Sequence, residues 1–179
     1  NAEFCRSSWA RMFSHSAFSP LDFSTPESHQ RSTVDLMAAL YAIGKGSLDL
    51  PFIASLAAQS AIAPEIVAKF ASHAQKIRHL PEIQSGDALV AICNSEQGSG
   101  TNLKAMKSVC AIDENGAGLI RATKPLATNA FGARHVFVAA WEKGSVQINP
   151  TMELFVVDAE FAKTASVAHL LSGFRTGNC

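Results

Sequence analysis

The chain has 179 residues, 47% of them hydrophobic and 17% charged, a globular composition long enough for one ordinary domain or two small ones. Its 15 basic and 15 acidic residues cancel, so no face is forced to be strongly basic, and neither nucleic acid nor an anionic membrane is expected as a partner. No apolar run reads as long enough to span a bilayer, and the opening Asn1-Ala2-Glu3-Phe4-Cys5-Arg6 lacks a signal-peptide core, with Asn1-Ala2 reading as a tag remnant.

In chain order, Glu3 to Phe18 places Trp9, Met12 and Phe13 at helical spacing, and Ser19 to Gln30, with Pro20 and Pro26 among polar residues, reads as a loop. Thr33 to Ile43 is apolar on nearly every side through Val34, Leu36, Met37, Leu40, Tyr41 and Ile43, the pattern of a buried helix, ended by Gly44 and Gly46. Ser47 can cap a further helix that carries Asp49 and Pro51 in its first turn and runs to about Ala61. Pro64 starts a short helix, PEIVAKFAS; a polar turn follows, broken at Leu80-Pro81.

Near Gly86-Asp87 the pattern changes to short β-like runs. ALVAIC (88–93) is one, and KSVCAI (107–112) has the alternation of a half-buried strand. DENGAG (113–118) reads as a hairpin turn with LIRATK (119–124) as its return strand. HVFVAAW (135–141) and MELFVVDA (152–159) are strands by their β-branched and aromatic content. The fold class is therefore α+β with segregated halves: helices over 1–86, then an antiparallel β-domain over 87–179.

Cysteines at 5, 93, 110 and 179 show no CxxC spacing, the pattern of free thiols in a reducing, cytoplasmic compartment. The histidines lack metal-ligand spacing, since His73 and His79 fall on different sides of a helix, and no metal site is expected.

Two segments carry candidate chemistry. Ile92-Cys93-Asn94-Ser95-Glu96-Gln97-Gly98-Ser99-Gly100-Thr101-Asn102 follows a strand and is rich in Gly and hydroxyls, so it can present backbone N–H groups to an anion or a ring carbonyl. Thr123-Lys124-Pro125-Leu126-Ala127-Thr128-Asn129 ends a strand and opens a loop. Taken alone, each reads more simply as a polar turn or a strand exit.

Together and in this order they resemble the acyl-CoA dehydrogenase family. HAQKIRHLPEIQSGDALVAICNSEQGSGT (73–101) is similar to the passage in which a Gln-Lys helix precedes Leu-Pro, a Ser-Gly, a strand and a Thr-Glu-Pro-Gly-Ala-Gly-Ser-Asp loop; Glu96, Gly98 and Gly100 match that loop. GAGLIRATKPLATN (116–129) resembles a hairpin strand ending in Gly-Thr-Lys-x-Trp-Ile-Thr-Asn through Thr123, Lys124, Thr128 and Asn129. SGFRTG (172–177) is similar to Leu-Gly-x-Arg-Gly-Ser through Gly173 and Arg175.

The resemblance implies an N-terminal helical domain, incomplete over 1–86, followed by an antiparallel, barrel-like middle β-domain over 87–179, incomplete at its C-terminal end, that binds FAD. By position, Ile92, Asn94 and Ser95 lie along the flavin ring, and the loop passes the cofactor phosphates at Gly100 and Thr101. Thr101 also falls where the family touches acyl-CoA, the implied substrate or a related acyl thioester. Leu126, Ala127 and Thr128 occupy the positions that face the flavin from the second motif. A hydroxyl at N5 and amides at the ring carbonyls stabilise the charge a reduced flavin gains.

The departures are Gln97 for proline, Ser99 for alanine, Ser95 for threonine, Thr101 for serine, Asn102 for aspartate and Leu126 for tryptophan. Glu142 falls near a serine used on acyl-CoA. The family's proton-abstracting glutamate lies in a C-terminal helical bundle that also builds its oligomers, and no residue of this chain is assigned that role. The resemblance thus implies α,β-dehydrogenation of an acyl thioester by a homo- or hetero-oligomeric flavoprotein, this chain being a fragment or truncated form. The alternative is a non-catalytic relative serving as a structural or partner subunit.

Overall fold

A computed structural model describes residues 9, 12–14, 20–46, 50–114, 118–130, 132–143, 152–161, 167–171 and 174–178, of which 143, 161, 167–171 and 174–178 are described by backbone alone. The chain divides into two compact units, Asn1–Val90 with Ala168–Gly177, and Ala91–Val167 with Asn178–Cys179.

The first unit is helical. Helix α1 spans Pro26–Gly46, so it begins inside the stretch expected to be a loop. Thr25 accounts for the early start: its hydroxyl accepts the Ser28 N–H at 3.1 Å, and Pro26 follows at the first helical position, where a missing N–H costs nothing. The expected all-round burial is corrected, because only Leu36 is fully buried, whereas Val34, Met37 and Tyr41 are exposed at 58%, 64% and 69%. Leu36 packs with Trp9, Phe13, Leu21, Leu56 and Leu89, while Val34, Met37 and Tyr41 keep most of their surface open to solvent. Apolar character around the whole circumference specifies a helix but not which side will find a partner.

Helix α2 (Leu50–Ala57), a π-helical turn (Ala58–Ile62) and helix α3 (Ala63–Phe70) run on without a break. The separation expected between Ala61 and Pro64 is absent for a physical reason. Pro64 has no N–H and its ring would collide with the carbonyl of residue 60 in a regular α-helix. The π-turn removes that conflict: the Ala63 N–H reaches back five residues to Ala58 O, and the Ser60 hydroxyl donates to Leu56 O at 2.7 Å. The joined helix of 21 residues, Leu50–Phe70, contains an 18-residue stretch of mean hydropathy 1.4 and is long and apolar enough by composition to cross a membrane, contrary to the expectation drawn from its separate pieces. It also carries polar groups that tie it to its own unit. Glu65 receives Lys69 Nζ at 3.0 Å and pairs with His29 of α1 at 2.5 Å.

Helix α4 spans His73–Gln84 and continues through Pro81, where the sequence suggested a break. Ser72 opens it with a reciprocal capping box, the Gln75 N–H donating to Ser72 Oγ at 3.3 Å and the Ser72 N–H to Gln75 Oε1 at 2.8 Å. Pro81 stands in the last turn, so it forfeits one helical bond near an end that is about to stop. The stop is Gly86, whose positive φ of 78° suits glycine, and an added Cβ there would lie 2.7 Å from Phe13 Cγ.

Gln59 holds this unit together from inside. Fully buried on the π-turn, its amide donates to Ile83 O at 2.8 Å and Ala88 O at 2.9 Å, and its oxygen accepts the Val90 N–H at 2.9 Å. One side chain therefore satisfies three backbone groups where α4 gives way to the first strand.

The second unit is a sheet of strands β1 (Val90–Cys93), β2 (Val109–Ile112), β3 (Gly118–Arg121), β4 (His135–Lys143) and β5 (Met152–Asp158). The order is β1-β4-β2-β3, with β5 also on β4. The expected hairpin is present as antiparallel β2–β3, although 115–117 of its turn lie outside the described residues, and β4–β5 is antiparallel over His135↔Asp158 to Trp141↔Met152. The expectation of an antiparallel barrel is corrected. Strands β2 and β4 pair in parallel through Val109↔Trp141, Cys110↔Glu142 and Ala111↔Lys143, and the described strands form an open, mixed sheet. Central β4 makes this possible, since His135 to Ala140 are all buried, the continuous run of a strand covered on both faces. Ala91, Cys93, Ala127, Ala130, Val136 and Val138 form the core of this unit. Strands β6 (Val167–Leu171) and β7 (Phe174–Asn178), which fall mainly in the first unit, pair with each other.

Replacing Gln59 by leucine keeps the volume and takes a partner from the buried Ala88 carbonyl and the Val90 amide at roughly 1–3 kcal/mol each, while Ile83 O keeps the Gly86 N–H at 3.2 Å. We expect Gln59→Leu to lower unfolding stability by about 2 kcal/mol or more, read from urea midpoints. A change under 1 kcal/mol would show that these groups find other partners.

Candidate functional site

Both segments singled out from the sequence fall in the β unit, and the structure brings them together. Ile92 and Thr128 form an isolated antiparallel bridge, the Ile92 N–H donating to Thr128 O at 3.3 Å. Past this bridge, Asn94 and Ser95 are exposed on one segment and Leu126 is 46% exposed on the other, while Ile92 and Thr128 are half-buried. Ala127 is 4% exposed and its methyl is used in the sheet core, so its backbone is the part left for a ligand. Gly100 and Thr101 are exposed in the turn beyond, and among the described residues no hydrogen bond links them to 126–128. Gly173 of the closing motif lies outside the described residues, and Arg175 is placed on β7 by its backbone alone.

The first loop folds on itself. The Ser99 N–H and hydroxyl both donate to Glu96 O, at 3.2 and 3.0 Å, and the Asn102 N–H donates to Ser99 O at 2.8 Å. Gly98 and Gly100 take positive φ, 86° and 49°, to turn the chain tightly enough for these bonds. In the second segment the Ala130 N–H donates to Ala127 O at 3.4 Å and the Gly132 N–H to Asn129 O at 3.2 Å. Asn129 has φ 70°, the left-handed region that Asn tolerates best after Gly.

Beneath the exposed groups lies an arrangement that the sequence did not disclose. The Glu96 carboxylate accepts the Lys107 N–H at 2.5 Å, the Ser108 N–H at 3.2 Å, the Ser108 hydroxyl at 2.5 Å and Lys124 Nζ at 3.2 Å. Lys124 Nζ also meets Met106 Sδ at 3.5 Å. The Glu96 and Lys124 side chains are only 8% and 6% exposed. Burial works against the charge on Glu96, but the Ser108 hydroxyl, the Lys107 amide and the Lys124 ammonium outweigh it and hold the carboxyl down at about 2. Such a group is too weak a base, and too enclosed, to abstract a substrate proton. The sequence marked Glu96 and Lys124 as motif matches without a role and passed over Ser108. A signal was present: an acid in one motif and a base in the other.

On the other side of β2, the Trp141 indole donates to Met106 O at 3.1 Å and its backbone N–H to Ser108 O at 2.9 Å. Half-buried Glu142 stands opposite Cys110, whose thiol is pushed up by burial and by the Glu142 charge. Cys110 is thus a protonated core residue rather than a nucleophile.

No family model and no curated protein matches the chain. Solved structures do. Butyryl-CoA dehydrogenase from Megasphaera elsdenii matches with a TM-score of 0.72 at 17% identity, over 87% of this chain and 40% of that one. Glutaryl-CoA dehydrogenase from Mycobacterium smegmatis, in complex with FADH2, gives 0.71 at 19%, over 96% and 42%. The prolyl acyl carrier protein oxidase AnaB gives 0.70 at 18%, over 87% and 40%. The chain has the fold of the acyl-CoA dehydrogenases over the part of them that it spans. It spans about 40% of the length of these structures.

The Glu96 carboxyl is held at about 2, below its ordinary 4.5, so its stabilisation is complete above pH 4.5 and is lost as pH falls toward 2. We expect the stability deficit of Glu96→Gln to be full at neutral pH and to shrink between pH 4.5 and 2. Urea midpoints of both proteins across that range test it, and a deficit independent of pH would exclude this account.

Proposed function

We propose that this chain is part of an acyl-CoA dehydrogenase-like flavoprotein and that its β unit holds the flavin of FAD at the paired strand ends. The observation that carries the proposal is the Ile92–Thr128 bridge, which sets the Asn94–Ser95 strand exit beside Leu126–Thr128. The residues present fit the group. Exposed amides and the Ser95 hydroxyl are the donors that a ring bearing carbonyls and a basic nitrogen needs, and exposed Leu126 offers an apolar surface next to them. FAD would supply the hydride acceptor for α,β-dehydrogenation of an acyl thioester. In this reading Ser95 and Thr128 orient the ring, and the turn at Gly100 and Thr101 presents backbone to phosphate, Thr101 also touching the acyl-CoA.

Glu96 takes no part in proton removal, since it is committed to four donors. The base comes from elsewhere in the whole protein, whose relatives by fold are more than twice as long. The same reading proposes an oligomer in the cytoplasm. A second reading, a non-catalytic relative acting as a partner subunit, is favoured by one observation. Leu126 stands where an aromatic residue would stack, and a leucine covers less of a flat ring.

The complete gene product should show bound-flavin absorbance, bleached anaerobically by an acyl-CoA. Flavin without bleaching by any acyl thioester would favour the partner-subunit reading, and a colourless protein that takes up no added FAD would overturn both flavin roles. Ser95→Ala and Thr128→Val should each weaken FAD binding by about tenfold, the worth of one hydrogen bond near 1.4 kcal/mol. Unchanged affinity in both would move the flavin away from these strand ends.

A further inference from the structure

We infer that Glu96 is the positioning residue of this site, its buried carboxylate fixing the Ser95 segment and the Thr128 segment relative to each other. The inference rests on the reading of these strand ends as the flavin-facing edge. Ser95 is joined to Glu96 by one peptide bond, and Lys124 stands two residues before Leu126. The 3.2 Å ion pair between Glu96 and Lys124 therefore spans the two segments from below, and the Ile92–Thr128 bridge spans them at the strand level. Two attachments at different depths remove the hinge motion that a single 3.3 Å bridge would leave.

The grip is also anchored to the sheet. Ser108, 2% exposed, gives Glu96 both its N–H and its hydroxyl, and its own carbonyl accepts the Trp141 N–H of β4 at 2.9 Å. The Glu96 main chain works in the same direction, its carbonyl taking two bonds from Ser99 and closing the turn that leads to Gly100 and Thr101. One residue thus sets the placement of the ring-facing hydroxyl and of the turn that follows it. Stability alone does not call for a charge here, because buried ion pairs are commonly replaced by apolar residues at no loss. Oriented, charge-assisted bonds give what an apolar contact lacks, a fixed direction and distance.

The test uses amide hydrogen exchange together with FAD titration on the complete gene product. Glu96→Gln combined with Lys124→Met removes both charges and leaves neither stranded. Expected is exchange at least tenfold faster in 92–101 and in 124–129 together, with wild-type rates kept in β5 and in Leu50–Phe70. FAD affinity should fall tenfold or more, with altered visible dichroism of the flavin that remains bound. Lys124→Arg, which keeps the pair, should retain slow exchange and affinity. If the double variant does not fold, Ser108→Ala, which removes one donor, should loosen the same two segments by a smaller factor. Loosening of one segment only, of neither, or of the entire β unit uniformly would overturn the inference. Should the wild-type protein bind no FAD, the flavin reading fails, while the exchange result still decides whether Glu96 couples the two segments.

Discussion

A carboxylate taken out of water needs its hydration replaced almost completely, or it goes neutral or forces the structure open. Glu96 meets that demand with two backbone amides, a hydroxyl and an ammonium, and the β unit is arranged around the result. The donors come from separate places: Lys107 and Ser108 lead into β2, and Lys124 follows β3. Withdrawing any one exposes a buried charge to an incomplete shell, so the segments cannot drift independently. Lys124 is bound by the same constraint from the other side, since its ammonium is held by that carboxylate and by the Met106 thioether.

The helical unit solves a similar problem without charge. There the groups at risk are backbone carbonyls and an amide where a helix ends and a strand begins, and Gln59 serves them all. The π-turn that carries Gln59 lies where Pro64, with no N–H to give the carbonyl of residue 60, opens the next helix. A residue that looks like a helix break in the sequence thus adjoins the local geometry that aims a glutamine inward. Neither network could be read from hydrophobic periodicity, because each depends on partners 24 to 31 residues away for Gln59 and 11 to 28 for Glu96.

What was legible in the sequence had a local cause. The hairpin at 107–124, the strands at 135–141 and 152–159 and the Ser-Gly before the first strand follow from side-chain alternation and turn chemistry, and the structure has them. The parallel pairing of β2 with β4 was not legible, because two strands of like composition do not declare their direction when a hairpin arm and a long loop intervene. A hint lay in HVFVAA, which does not alternate and so already departs from a one-sided antiparallel strand. The early start of α1 was legible in retrospect through Thr25-Pro26-Glu27, a cap followed by a first-turn proline and acid. At the site, both segments were found from the sequence, but the ion pair beneath them was not.

The pattern of matches and departures within the two motifs now has a physical sense. The matching residues are mostly those the local structure requires: Glu96 and Lys124 for the buried pair, Gly98 and Gly100 for left-handed turns, and Asn129 for its positive φ. The departures are mostly exposed: Gln97, Thr101, Asn102 and Leu126 meet solvent and so would meet a ligand. Ser99 is the buried departure, and its hydroxyl is absorbed by a bond to Glu96 O at 3.0 Å that strengthens the same turn. The contacts that shape the strand ends are therefore interior, and the side chains that depart from the motifs are mostly the ones that face solvent. The fold matches that of the butyryl-CoA and glutaryl-CoA dehydrogenases at under 20% identity. A handful of interior polar contacts and left-handed positions suffices to specify these turns, and everything around them is free to vary.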